Sequence, residues 1–135
     1  MEGGCLCGAV RYRLLSEPFD AGWCHCRNCQ RISGAPAVAF ASVPAADYAY
    51  ESGAELVGRY ASTPTDHRGF CTRCGSQLYG CRNDGPTIEF NLATLDDPAP
   101  VVPGFHIYYE RHIPWAEAAD DKPRHATSRS ASKRL

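Results

Sequence analysis

Alternation of apolar and polar residues, not a helical period, dominates this chain. Val10, Tyr12 and Leu14 alternate with Arg11 and Arg13, which predicts a half-buried strand. Ile88, Phe90 and Leu92 alternate with Glu89 and Asn91, after an Asn83-Asp84-Gly85-Pro86 turn; this is the clearest strand. Phe105, Ile107 and Tyr109 repeat the pattern near the end. Ala37 to Val43, an apolar run bounded by Pro36 and Pro44, reads as another strand. Leu56 to Ala61 and Gln77 to Tyr79 are shorter candidates. One short helix is predicted, Arg27 to Ser33, stopped by Gly34 and Pro36. The fold class is therefore mainly β, with a short helix after the central cysteine cluster.

Ten prolines and twelve glycines break the remainder into short pieces. At 135 residues there is room for one core. From about Ala116 the character changes: Lys122, Arg124, Arg129, Lys133 and Arg134 sit among serines and alanines with no apolar partner. The expected organisation is a folded domain over 1–115 and a basic, disordered tail over 116–135. The net charge of −1 proposes no nucleic-acid or membrane partner. No apolar run approaches the ~20 residues that span a bilayer. Met1 to Gly8 lacks the basic and apolar regions of a signal peptide, so a reducing cytoplasm is the expected compartment. Eight cysteines would also permit a disulfide framework, but nothing else here looks secreted.

Seven of the cysteines fall into three clusters: Cys5-x-Cys7, Cys24-x-Cys26-x-x-Cys29 and Cys71-x-x-Cys74. Each has chelate spacing, and seven is one ligand short of two closed four-cysteine sites. Four thiolates can close a structural zinc site; three can hold a second zinc with a free position, and an open zinc implies chemistry. Residues i and i+2 of an extended strand share a face, so Cys5 and Cys7 can meet one ion. Cys71-Thr72-Arg73-Cys74-Gly75 reads as a zinc knuckle whose glycine supplies a positive φ. Cys5, Cys7, Cys71 and Cys74 are therefore the expected structural site, with a pair of redox dithiols as the competing reading. Cys24, Cys26 and Cys29 are the expected catalytic site, able to bind a substrate sulfur as thiolate or a water as hydroxide. Three thiolates leave a divalent ion with net negative charge. Arg27 and Arg31, beside the triplet in sequence, are candidates to offset it or to hold an anionic substrate; a solvated helix face is the alternative. His25 points to the opposite face in extended geometry. Cys81 is left over, as a buried strand thiol, a fourth ligand that would close the second site, or a resolving thiol.

These residues resemble the glutathione-dependent formaldehyde-activating enzyme family, which includes centromere protein V. The resemblance runs from Gly3-Gly4-Cys5-Leu6-Cys7-Gly8-Ala9-Val10-Arg11-Tyr12 through Cys24-His25-Cys26-Arg27-Asn28-Cys29-Gln30-Arg31 and Gly34-Ala35-Pro36. It continues in Arg68-Gly69-Phe70-Cys71 and Cys74-Gly75-Ser76, and closes with Leu95-Asp96-Asp97-Pro98, His106-Ile107 and Pro114-Trp115. It implies a β-tent fold of short antiparallel strands carrying two zinc ions. The outer pairs would hold the structural ion and the central triplet the catalytic one. The implied reaction is carbon–sulfur lyase chemistry, forming or cleaving S-(hydroxymethyl)glutathione, with glutathione as co-substrate and a small thiol and aldehyde as partners. Cys81 and the basic tail depart from the family pattern.

Two other readings compete. One is a non-catalytic zinc module for a protein or nucleic-acid partner. The other is thiol-based sensing of an electrophile by the triplet. No strong general base stands out; His25 and His106 are possible, and a strand histidine such as His106 more often packs or hydrogen-bonds structurally.

Overall fold

The computed structural model describes residues 1–131 and 135. Among them are ten strands and one α-helix, with short 3₁₀ turns between. Strands β1 (Glu2–Gly4), β2 (Arg11–Leu14) and β5 (Tyr48–Ser52) form a small antiparallel sheet, with β2 in the middle. The large sheet contains β3 (Phe19–Cys24), β4 (Val38–Pro44), β6 (Val57–Ala61), β7 (Asp66–Cys71), β8 (Gln77–Arg82), β9 (Thr87–Asn91) and β10 (His106–Ile107). Its order is β10-β3-β4-β9-β8-β7-β6. All neighbours are antiparallel except β10, which runs parallel to β3. Helix α1 (Arg27–Ser33) follows β3 directly.

The alternating patterns explain the core. Val10, Tyr12 and Leu14 turn inward from β2 and its approach, with Arg11 and Arg13 facing out. They meet Ala41 and Val43 of β4, Leu78 of β8 and Phe90 of β9, all fully buried. Tyr12 stacks on Tyr48 at 4.4 Å between ring centroids, joining β2 to β5. The core therefore lies where the two sheets face each other, as two amphipathic sheets require.

Four strands have no alternating signal. In β3, Gly22 stands where a side chain would collide with the Phe105 ring, 2.5 Å from an added Cβ. In β7, the inward positions are His67, Gly69 and Cys71, none of which reads as an apolar face. β1 is three residues long, and β5 turns only Tyr48 fully inward. The strand expected over Phe105 to Tyr109 is cut short: Tyr108 takes a left-handed φ of 53° and turns the chain into a 3₁₀ turn.

The described part of the segment from residue 116 runs along the large sheet. Backbone pairing substitutes for the missing apolar partners. The free edge of β10 is covered by residues 123–127: His106 N–H donates to Pro123 O at 2.8 Å, and His125 N–H to His106 O at 2.8 Å. Tyr108 and Tyr109 donate to Thr127 O and His125 O at 2.9 and 3.0 Å. Arg129 then lies between the Asp20 carboxylate at 2.6 Å and the Phe105 ring at 4.4 Å. Lys133 and Arg134 lie outside the described residues. Among the described residues no helix is long and apolar enough to cross a membrane.

Candidate functional site

All eight cysteines are free, and seven of them form two groups in which the sulfurs lie within 4.8 Å of one another. The first group is Cys5, Cys7, Cys71 and Cys74. Cys5 and Cys7 belong to a turn, not to the strand expected from their spacing: Gly8 N–H donates to Cys5 O at 3.1 Å, with Gly8 at φ 77°. The turn still brings the two sulfurs to 3.5 Å. Cys71 ends β7, and Gly75, at φ 80°, donates to Cys71 O at 2.8 Å to close the knuckle. The Cys7 and Cys71 sulfurs are 4.0 Å apart. A tetrahedral zinc with bonds of ~2.3 Å requires sulfurs about 3.8 Å apart, so the arrangement fits a closed site. Such an ion would tie the β1–β2 loop to the β7–β8 turn.

The second group is Cys24, Cys26 and Cys29. Cys24 is the last residue of β3; Cys26 is the N-cap of α1, where its sulfur accepts from Cys29 N–H at 3.3 Å. Hydrogen bonds from the Cys24 and Cys29 thiols pull Cys26 down to about 2. The same bonds, with Cys26 as the main partner, push Cys24 up. Three sulfurs this close share protons unless a cation replaces them, which is the donor chemistry of a metal site. Neither Cys81 nor His25 belongs to either group among the described residues.

The triplet forms part of the wall of a cavity of about 750 Å³. Arg68 of β7 reaches it, donating from Nη1 to Cys29 Sγ at 3.4 Å. Register explains how. Arg68 pairs with Gly80 on β8, and Gly80 with Glu89 on β9, so the guanidinium lies across a strand position with no side chain. A Cβ at Gly80 would sit 3.6 Å from Arg68 Nη1. Asp66, Arg82, Glu89 and Asn91 also line the cavity. Glu89 is exposed where it lines the cavity; partial desolvation there, and next the charge of Asp66, raise its carboxyl above its ordinary value.

The other candidate residues are placed differently. Arg27 turns its guanidinium to Gln30 Oε1, Arg31 is exposed, and neither lines the cavity. His25 is buried behind the triplet, its Nε2 2.9 Å from His106 Nδ1; burial, then His106, lower its pKa to about 4. Cys81 Sγ lies 3.4 Å from His67 Nε2. Sequence reasoning missed Arg68 as a site residue, although it begins the Arg68-Gly69-Phe70-Cys71 stretch that carries the family resemblance. It also missed Glu89, whose place in the strand pattern is the solvent side.

Comparison with known proteins shows the family of the chain. Residues 1–111 match the family described as glutathione-dependent formaldehyde-activating enzyme. The chain is 34% identical over 94 residues to an uncharacterized lyase of Schizosaccharomyces pombe, covering 70% of this chain and 66% of that protein. It thus spans just under two thirds of that relative's length. It is 31% identical over 125 residues to a putative glutathione-dependent formaldehyde-activating enzyme of Halomonas elongata, covering 87% and 80% of the two chains. A crystal structure of a Rhodobacter sphaeroides protein superposes with a TM-score of 0.61 at 31% identity, over 76% of this chain and 98% of that one. The chain belongs to the glutathione-dependent formaldehyde-activating enzyme family.

Proposed function

We propose that the protein is a zinc-dependent carbon–sulfur lyase that forms or cleaves a hydroxymethyl-thiol adduct such as S-(hydroxymethyl)glutathione. The observation that carries this reading is the setting of the triplet. Three sulfurs converge at the wall of a large cavity, with no fourth cysteine or histidine joining them among the described residues. In this reading Cys5, Cys7, Cys71 and Cys74 hold a structural zinc, and Cys24, Cys26 and Cys29 hold a second. Zinc bound at the triplet would supply a Lewis acid that favours the substrate thiol as thiolate.

The cavity's side chains do the remaining work. Arg68 offsets the negative charge of the triplet and can meet a substrate carboxylate. We give it the anion-holding role for which Arg27 and Arg31 are the sequence candidates. Glutathione carries two carboxylates and an ammonium, which suits a wall bearing Arg68 and Arg82 alongside Asp66 and Glu89. Addition of a thiol to an aldehyde forms a C–S bond, opens the C=O bond and moves one proton from sulfur to oxygen. Glu89, exposed on the cavity wall with its carboxyl raised by partial desolvation and by Asp66, is the group we assign to that transfer. Holding both reactants in one cavity supplies proximity, and the gain is read above the uncatalysed condensation. A reducing cytoplasm, which keeps thiols free, is the compartment this chemistry needs.

The test uses metal-loaded protein with glutathione and formaldehyde. Cys26→Ala is expected to drop the metal content from two zinc ions to one and to abolish the rate above background, with the circular dichroism spectrum unchanged. A folded Cys26→Ala protein that kept the wild-type rate would overturn the assignment.

A further inference from the structure

Behind the triplet, on the side away from the cavity, lies a chain of three polar side chains that the proposed reaction does not use. His25 sits between Cys24 and Cys26 and is buried, as is His106 of β10. His25 Nε2 is 2.9 Å from His106 Nδ1. His106 Nε2 is 3.0 and 3.1 Å from the two carboxylate oxygens of Asp120. Asp120 lies beyond residue 111, where the family match ends.

The partners fix the direction of these bonds. A carboxylate only accepts, so His106 donates from Nε2. With its Nδ1 unprotonated, His106 accepts there from His25 Nε2–H. Asp120 is itself held. Its Oδ1 accepts from Lys122 N–H at 2.9 Å, and its carbonyl accepts from Arg124 Nη2 at 2.8 Å. Arg124 is placed in turn over the Tyr109 ring at 5.2 Å. Tyr109 packs edge-on against both His25 and His106, at 4.8 and 5.6 Å.

The backbone at His25 is pinned just as closely. Its N–H donates to Ile107 O at 3.1 Å, and its carbonyl accepts from Gln30 Nε2 at 2.8 Å. The turn carrying two of the three sulfurs thus has one side chain reaching backward, and that side chain ends, through His106, on Asp120. Groups hydrogen-bonded to metal ligands commonly set how well those ligands hold an ion, and here the link to the sulfurs runs through the backbone of His25 between Cys24 and Cys26.

We propose that Asp120 is a positioning residue for the Cys24–Cys26–Cys29 triplet, acting through His106 and His25. The proposal rests on the reading of the triplet as a metal site, but not on the substrate. The segment after residue 111 would then be a working part of the site.

The experiment follows the metal rather than turnover. Protein loaded with zinc is mixed with a chromogenic chelator, and protein loaded with cobalt is examined by its visible spectrum. Loss of the triplet's metal, identified by its absence in Cys26→Ala, is expected to be about tenfold faster in Asp120→Ala. The cobalt bands assigned to the triplet should change, and those of the four-cysteine group should not. Asp120→Asn keeps an oxygen acceptor on the same stem and should restore both signals to near wild type. It also serves as the informative variant should Asp120→Ala fail to fold. Asp120→Ala added to His106→Phe should have no further effect, because the first acts through the second. Unchanged release and spectra in Asp120→Ala would overturn the proposal. So would Asp120→Asn behaving like the alanine variant, or additive effects in the double variant. If Cys26→Ala removes no metal at all, the reading of the triplet as a metal site fails first, and is recognised separately.

Discussion

Arg68 shows how far one residue's role depends on its neighbours across the sheet. Its guanidinium reaches Cys29 across Gly80, where an added Cβ would pack against it at 3.6 Å. Removing the charge in Arg68→Met leaves the triplet's negative charge without its cationic partner. The expected loss is about 10²-fold in kcat/KM for the thiol substrate, by analogy with removing one fixed electrostatic donor. Lysine should restore only part of it, because an ammonium cannot reproduce the fork of a guanidinium. A wild-type rate in Arg68→Met would remove Arg68 from the site. Neither the distance nor the gap is legible in the chain, where Arg68 stands 39 residues from Cys29. The cysteines are legible because chelation needs short spacings, and those are local. Tyr48 is a second case. Its hydroxyl is buried with no hydrogen-bond partner among the described residues, so Tyr48→Phe should raise stability by about 1 kcal/mol in denaturant unfolding.

At the scale of the element, strands that alternate declare themselves and strands that serve close packing do not. β2 and β9 place one aromatic each in the core and alternate cleanly. β3 and β7 are built around glycines that make way for aromatic rings, and their patterns vanish for that reason. Gly69 faces Tyr79 of β8, and an added Cβ would fall 2.1 Å from the ring. Gly69→Ala is therefore expected to destabilise the fold by about 3 kcal/mol, the upper end for overpacking between adjoining strands. A loss below ~0.5 kcal/mol in thermal or urea unfolding would show that the sheet yields there. Helix α1 is legible end to end because both of its boundaries carry local signals. Cys26 caps its start, and Gly34 at φ 70° ends it by donating to Gln30 O. The C-terminal segment is illegible for the opposite reason. Its order comes from backbone bonds to a distant strand edge, and backbone groups leave no trace in composition.

The whole molecule is held by a core rich in tyrosines, and this sets its behaviour in alkali. Burial raises Tyr12 to about 12 and Tyr48 further still, against an ordinary value near 10. Below pH 10 both states keep these protons, and the stability is fully present. Between about 10 and 12 the unfolded chain sheds them while the folded one does not, so stability falls as pH rises. The slope should approach about 1.4 kcal/mol per pH unit for each such tyrosine. Tyr48→Phe should reduce it by one proton in urea titrations over that range. An unchanged slope would mean that Tyr48 ionises as freely in the fold as outside it.

The parallel pairing of β10 with β3 has a consequence for the newborn chain. On the ribosome, Cys24, Cys26 and Cys29 emerge long before the segment that buttresses them. Until residues 106–127 clear the exit tunnel, the strand bearing Cys24 lacks one of its two neighbours, and His25 has nothing to lean on. A parallel partner cannot arrive by a simple hairpin; it must come back across the molecule after the antiparallel meander has assembled. Thiols synthesised early are thus among the last to be locked into place, once residues 106–127 have emerged.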